Sequence, residues 1–393
     1  MADFQRDAAC IVGIGRSAYG KRGSLAHLGL ARLALDAIHD ACHDAGLSVK
    51  DIDGFTGYCD EPNVPAELAV ALGVKEFRYS ALVWGGRGSG LPGAVASAYA
   101  AVAGGMADCV VVLRSLIQEV RLGQSWAAGV GPGSAIPLSA SYTTPFGMAL
   151  PALIYSLKAR RHMELYGTTT DHFAEVAINA RRNAANNPDA RFRTEITVQE
   201  HHTSRLIADP LRLLDCCMES DGAAAVIVTS PERARDLRQS PVTIRAVSMT
   251  AEHKWGIASF NTVDEDYVST GHRRAARDLY ARAGMGPSDV DVAMLYDAFT
   301  PSVIMSLEDW GFCGIGEGGP FVADGNIRRE GTIPVNSHGG NLAEVYLNGI
   351  THLIEAVRQL RGTSCNQHAG ADVALYASGV GAAPGGGILL RRS

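Results

Sequence analysis

The chain lacks the devices that mark secreted, membrane-spanning or metal-centred proteins. Its eight cysteines, Cys10, Cys42, Cys59, Cys109, Cys216, Cys217, Cys313 and Cys365, include no C-x-x-C. They read as reduced thiols and small core residues, which predicts neither a disulfide framework nor a resident metal. No apolar stretch approaches the length of a membrane span. The opening MADFQRDAACIVGIG carries acidic residues and too short an apolar run for a secretory signal, so a cytoplasmic protein is expected. There is no long basic run, and the formal charge is only −6, which argues against nucleic acid as a partner. A dinucleotide fingerprint is also incomplete. GIGRSA supplies Gly13 and Gly15, but Ala18 stands where the third glycine belongs.

What is present is a long, Ala- and Gly-rich chain of 393 residues, 47% hydrophobic, more than one ordinary core requires. It is also internally repeated. When Ala37 to Tyr58 is laid on Ala275 to Tyr296 without a gap, Ala37, Asp40, Ala45, Gly46, Asp51, Asp53 and Tyr58 meet Ala275, Asp278, Ala283, Gly284, Asp289, Asp291 and Tyr296. Each copy reads as a helix, an Ala-Gly stop, an acidic turn and a buried strand. Further on, Gly85-Gly86 corresponds to Gly339-Gly340, and Ala107-Asp108 to Ala371-Asp372, the latter pairs entering the apolar strands CVVVL and VALYA. Two α/β halves follow, at 1–235 and 236–393. The first contains an insertion at about 117–214 that begins Gly/Pro/Ser-rich and then turns helical, as a lid or binding region does. The first strand is expected over Ala9 to Gly15, and the first helix from about Ser24 to Ala45.

The densest chemistry lies between Val292 and His352. Val292 to Leu295 is a short apolar run that predicts a buried strand. Thr300 is a candidate N-cap with Pro301 at the first helical position. Tyr296 and Asp297 then stand at the strand end, the ligand-binding edge of an open α/β sheet. Tyr346, a few residues beyond Gly339-Gly340, reads as a second strand-to-helix junction.

These segments resemble thiolases, especially the sterol-carrier type, across nearly the whole chain: DGAAA at 221–225, YDAF at 296–299, HGG at 338–340 and the Gly-rich terminal strand. The family carries Asn-Glu-Ala-Phe or His-Asp-x-Phe where this chain has Tyr296-Asp297-Ala298-Phe299. Its later Gly-His-Pro histidine falls on Tyr346. The resemblance implies a duplicated αβαβα five-layer fold, an inserted loop domain covering coenzyme A, and a homodimer. It also exposes two departures. Arg87 stands at the position of the nucleophilic Cys, and no cysteine follows Cys365, so the second family Cys, near Ala377-Ser378, is missing too.

An acyl-cysteine mechanism is thereby excluded, and a chemistry needing only a thioester enolate remains: aldol addition or its reverse. Thiolase-like "lipid-transfer protein" aldolases of bacterial steroid degradation share both departures. They imply cleavage of a 17-hydroxy steroid acyl-CoA to a 17-ketosteroid and propionyl-CoA. They also imply a DUF35-type partner (an OB-fold with a zinc ribbon), a heterotetramer with it, and no cofactor beyond the coenzyme A of the substrate. Tyr296 and Tyr346 would share base and oxyanion-donor roles. An unperturbed Tyr pKa near 10 is too high for a base, so a cation or dense hydrogen bonding must lower it, and Arg87 and His338 are the candidates. Asp297 either orients a proton relay or caps a turn, and His338 either meets the thioester or packs in its loop. Asn341, beside Gly340, either offers an amide to the substrate or caps a helix. Arg87 either binds substrate or anchors its loop across a subunit interface. Arg160-Arg161 and Arg181-Arg182 are candidate phosphate contacts. Two other readings stay open: an acyltransferase with a displaced nucleophile such as Ser89, and a non-catalytic acyl-CoA or lipid-binding subunit.

Overall fold

The computed structural model describes residues 4–83, 87–118, 144–148, 150–251, 268–269, 271–379 and 384–393, with Arg87 described in its backbone alone. The principal elements in chain order are β1 (Cys10–Arg16), α1 (Leu30–Ala45), β2 (Gly54–Tyr58), β3 (Tyr79–Val83), α2 (Leu91–Ala103) and β4 (Cys109–Leu116). Next come α3 (Pro151–Tyr166), α4 (Thr170–Ala185), β5 (Ser220–Thr229), β6 (Val242–Thr250), α5 (Arg273–Ala283) and β7 (Val292–Leu295). The chain closes with α6 (Thr300–Asp309), α7 (Ile350–Arg361), β8 (Val373–Ala377) and β9 (Gly385–Arg392).

The first half contributes strands in the order β3-β2-β4-β5-β1 and the second β6-β9-β8-β7. A two-residue antiparallel pairing, Cys10 with Thr243 and Ile11 with Val242, joins them. Helix α1 covers one face of β1, β4 and β5, and α5 covers β6 and β9. Between the half-sheets lie α2 and α7, each touching strands of both halves. The layers are therefore helix, sheet, helix, sheet, helix. Strands buried on both faces must be apolar almost throughout, and DGAAAVIVT and VAML are.

The repeat is realised down to single hydrogen bonds. Helices α1 and α5 end at glycines with left-handed backbone, Gly46 (φ 74°) and Gly284 (φ 67°). Each is followed by one 3-10 turn, Val49–Asp51 or Pro287–Asp289. The carboxylate of Asp51 accepts from Ser48 N–H at 2.9 Å, and that of Asp289 from Gly286 N–H at 2.7 Å. Asp53 then accepts from the N–H groups of Asp108 and Cys109, while Asp291 accepts from those of Asp372 and Val373, both at 2.8 Å. In each half one aspartate starts the parallel pairing of the strand behind it, β2 with β4 and β7 with β8.

Two local expectations are corrected. The first helix begins at Leu30, because Gly29 adopts φ 77° and ψ 155° and separates it from the short turn Ala26–Leu28. Thr300 is inside α6 and does not cap it, since its hydroxyl donates to Asp215 at 2.6 Å instead. Gly13 and Gly15 serve packing: a Cβ on either would overlap the α1 backbone at Ala41. Residues 119–143 of the insertion and the pair Gly85-Gly86 lie outside the described residues. Among the described residues no helix is long and apolar enough to cross a membrane.

Candidate active site

Tyr296 follows the last residue of β7 and stays in register, its N–H bonded to Ala377 O at 3.1 Å. Its ring fills a slot walled by glycine. A Cβ on Gly88 would overlap the ring, and one on Gly379 would stand 3.2 Å from it. The ring is 4% exposed, and its hydroxyl donates to the Tyr346 hydroxyl at 3.2 Å. Burial first, and the neighbouring Tyr346 second, push the Tyr296 phenol well above its ordinary pKa. This hydroxyl is therefore a neutral donor across the physiological range.

Tyr346 arrives from a different kind of segment than its spacing suggests. No strand precedes it. It sits between the one-turn helix Gly340–Ala343 and α7, in a loop bent by left-handed Asn348 (φ 52°) and Gly349 (φ 90°). Its N–H reaches Ser220 Oγ at 3.3 Å. Besides Tyr296, the side-chain amide of Asn348 donates to its oxygen at 3.0 Å. The Asn348 Oδ1 in turn accepts from Arg114 Nε at 2.9 Å.

Asp297 is buried. It accepts from the N–H groups of Asn341 (2.8 Å) and Leu342 (3.3 Å) and from His352 Nε2 (2.9 Å). Gly340, at φ 64°, packs so closely that a Cβ there would collide with this carboxylate. Asp297 thus anchors the loop that carries Tyr346 and orients His352, whose ring stacks on Tyr296 at 6.2 Å between centroids. Asn341 is not a helix cap, since Gly339 (φ 106°) occupies that place. Its side chain is fully buried with neither amide atom hydrogen-bonded.

His338 stands behind His352, edge to face at 4.7 Å, and burial holds its pKa well below the ordinary value. The expectation that it supplies a cation to a tyrosine is corrected: the ring is neutral and touches His352 rather than a phenol. The Arg87 side chain lies outside the described residues. Among the described residues, a cation reaches the pair through Asn348: Arg114, fully buried on β4. Arginine in the otherwise apolar run CVVVLRSL was the available signal. His352 and Asn348 gave none, because their roles depend on contacts made only after folding.

The insertion also builds this site. Asn179 and Asn183 on α4 and Asn187 just beyond it, spaced four apart, donate to Val335 O, to both Val335 O and Asn336 O, and to His338 O. They hold the loop leading into Gly339-Gly340. Of the arginine pairs, Arg160 is paired with Asp209, and Arg181 donates to Thr194 O and lies over the Phe192 ring.

At the family's cysteine positions no nucleophile is assembled. The Ser89 hydroxyl donates to the Gly379 carbonyl at 2.9 Å, which is no base. Ser378 Oγ accepts from Gly386 N–H. Cys217 lies near Tyr296, and burial raises its thiol well above the ordinary value. A cavity of about 550 Å³ lined by Arg273, Tyr280, Asp309 and Trp310 shares no lining residue with the tyrosine pair.

Comparison with known proteins matches this architecture. The family described as Thiolase, N-terminal domain covers residues 9–232, and Thiolase C-terminal domain-like covers 258–386. The 17-hydroxy-3-oxo-4-pregnene-20-carboxyl-CoA lyase of Mycobacterium tuberculosis is 40% identical over 97% of this chain and 98% of its own. A steroid side-chain-cleaving aldolase of Thermomonospora curvata is 38% identical over 98% and 97%. The solved Ltp2-ChsH2(DUF35) aldolase superposes with a TM-score of 0.91 at 36% identity, covering 98% of both chains. The chain belongs to the thiolase superfamily and groups there with relatives named as steroid side-chain-cleaving aldolases.

Proposed function

We propose that the protein is a carbon-carbon lyase that cleaves a β-hydroxyacyl-CoA by retro-aldol chemistry, with a 17-hydroxy steroid carrying a short acyl-CoA side chain as substrate. The observation that carries this reading is the direct hydrogen bond between two phenols at the end of β7, in a site whose family cysteine positions hold no thiol. Tyr346, whose oxygen accepts from two donors, takes the proton of the β-hydroxyl as its phenolate. The O–H electron pair becomes the ketone C=O, and the Cα–Cβ pair passes to the thioester as an enolate. Once Tyr346 has taken that proton it no longer needs the Tyr296 hydroxyl, which burial holds neutral and which then turns its single O–H to the enolate oxygen. The proton on Tyr346 returns to Cα, releasing ketosteroid and propionyl-CoA, so atoms and charge balance without a covalent intermediate. Asp297 and His352 hold the two loops in place.

The name of the solved Ltp2-ChsH2(DUF35) aldolase supports a DUF35-type protein as partner, and the reading places it with a homodimer of this chain. The test is incubation with a 17-hydroxy steroid acyl-CoA, with and without that partner, while ketosteroid and propionyl-CoA are measured. Equal release of both supports the reading. Stoichiometric binding with no product in the presence of partner, or a covalent acyl adduct on Ser89 in intact-protein mass spectrometry, overturns it.

A further inference from the structure

Arg114 is a fully buried guanidinium on β4. Its Nη2 pairs with Asp60 at 2.7 Å, its Nη1 stands 3.7 Å from Glu61, and its centre lies 5.9 Å from the Tyr58 ring. Asp60 and Glu61 partly neutralise it, but Nη1 makes no hydrogen bond. Its Nε points across the junction of the two halves to Asn348. Guanidinium nitrogen only donates, so the Asn348 atom facing Arg114 must be the amide oxygen. The Asn348 nitrogen must then face Tyr346. The backbone of Asn348 is fixed as well, since its carbonyl accepts from the Tyr58 hydroxyl at 3.1 Å.

We propose that Arg114 and Asn348 are positioning residues for the reaction, a polarised arm that keeps an N–H donor trained on the Tyr346 oxygen so that this oxygen, and not that of Tyr296, receives the substrate's hydroxyl proton. The inference rests on Tyr346 as the base. The Arg114 bond draws charge from Oδ1 and strengthens the Nδ2 donor, as coupled hydrogen bonds do. A phenolate at Tyr346 faces two donors, the Asn348 amide and the Tyr296 hydroxyl, whereas one at Tyr296 would face only the Tyr346 hydroxyl, so proton loss is favoured at Tyr346. Among the described residues, the other ionisable groups facing the arm are Asp60, Glu61 and Tyr58 around Arg114, and Tyr296, with Cys217 beyond it, around Tyr346.

Asn348→Asp tests this with little change of shape, because aspartate tolerates the left-handed backbone and keeps a partner for Arg114. It presents a carboxylate oxygen to Tyr346 in place of N–H. A base works only when deprotonated, so the rising limb of kcat against pH should move upward by about one unit or more, with neutral-pH kcat falling on the order of 10- to 100-fold and KM little changed. Arg114→Lys should shift the limb in the same direction and by less. Asn348→Gly, which suits φ 52° and removes the amide, stands in if the aspartate variant does not fold. A reduced rate with an unmoved limb, or no change at all, overturns the proposal. Tyr346→Phe assayed alongside separates the two ideas. A near-normal rate there removes the base and the arm together, whereas an inactive Tyr346→Phe with an unmoved Asn348→Asp profile removes the arm alone.

Discussion

Two chemically identical phenols 3.2 Å apart are distinguished by their surroundings. Tyr296 is wrapped in glycine backbone and donates, whereas Tyr346 accepts from Tyr296 and Asn348. Replacing either with Phe keeps the ring and removes the hydroxyl. Tyr346→Phe should lower turnover on the order of 100- to 10000-fold and Tyr296→Phe on the order of 100- to 1000-fold. Each should cost only about 1 kcal/mol of stability. Turnover beside melting temperature checks this, and two stable variants with near-normal rates would dismiss the site. Cys217→Ser should retain most activity, because a thiol raised by burial is no nucleophile at neutral pH. Complete loss in a folded Cys217→Ser protein would restore a covalent mechanism. The tyrosines were legible because they occupy positions of a recognisable pattern. Asn348 was not: its meaning comes from a partner 234 positions away. Of the readings left open for His338, the cation role falls for a related reason, since spacing places a ring near a site but is silent about the burial that sets its charge.

At the level of elements, one aspartate in each half clamps a parallel strand pair, Asp53 that of β2 with β4 and Asp291 that of β7 with β8. Asp53 is nearly buried, and it also meets Arg78; Asp291 is half-buried. Replacing Asp53 with Ala should cost on the order of 3 kcal/mol, with Asp291→Ala costing less, because hydrogen bonds to a charged acceptor are lost and buried N–H groups are left unpaired. Denaturant melts of the two variants check the ranking, and an insensitive Asp53→Ala would show that strand pairing does not depend on it. The helix, glycine stop and strand of each copy were readable because local propensity and burial agree there. Thr300 and Tyr346 were not placed correctly, since a distant acceptor, Asp215, claims the threonine hydroxyl and left-handed residues replace the expected strand before Tyr346. Asn179 and Asn183 of α4 and Asn187 just beyond it carry no signal in sequence, since their meaning lies in the loop they hold.

On the scale of the whole molecule, β3 is an edge among the described residues, where it pairs with β2 alone, and Leu82 on it is 60% exposed. An open apolar edge is a template for another strand, and a second copy of this chain would supply one. Light scattering should give at least a dimer, and Leu82→Lys should shift it toward monomer; a stable wild-type monomer at micromolar concentration would contradict this. The seam between the halves carries a further consequence, for the time at which the protein becomes active. Arg114 and Asn348 are separated by 234 residues, so at ribosomal speeds the arginine emerges roughly ten to fifty seconds before its amide partner. Throughout that interval the first half has Asp60 and Glu61, both its own, to hold the charge. The nascent chain can therefore bury its arginine early and wait, and turnover begins only when the last quarter of the polypeptide has been made and docked.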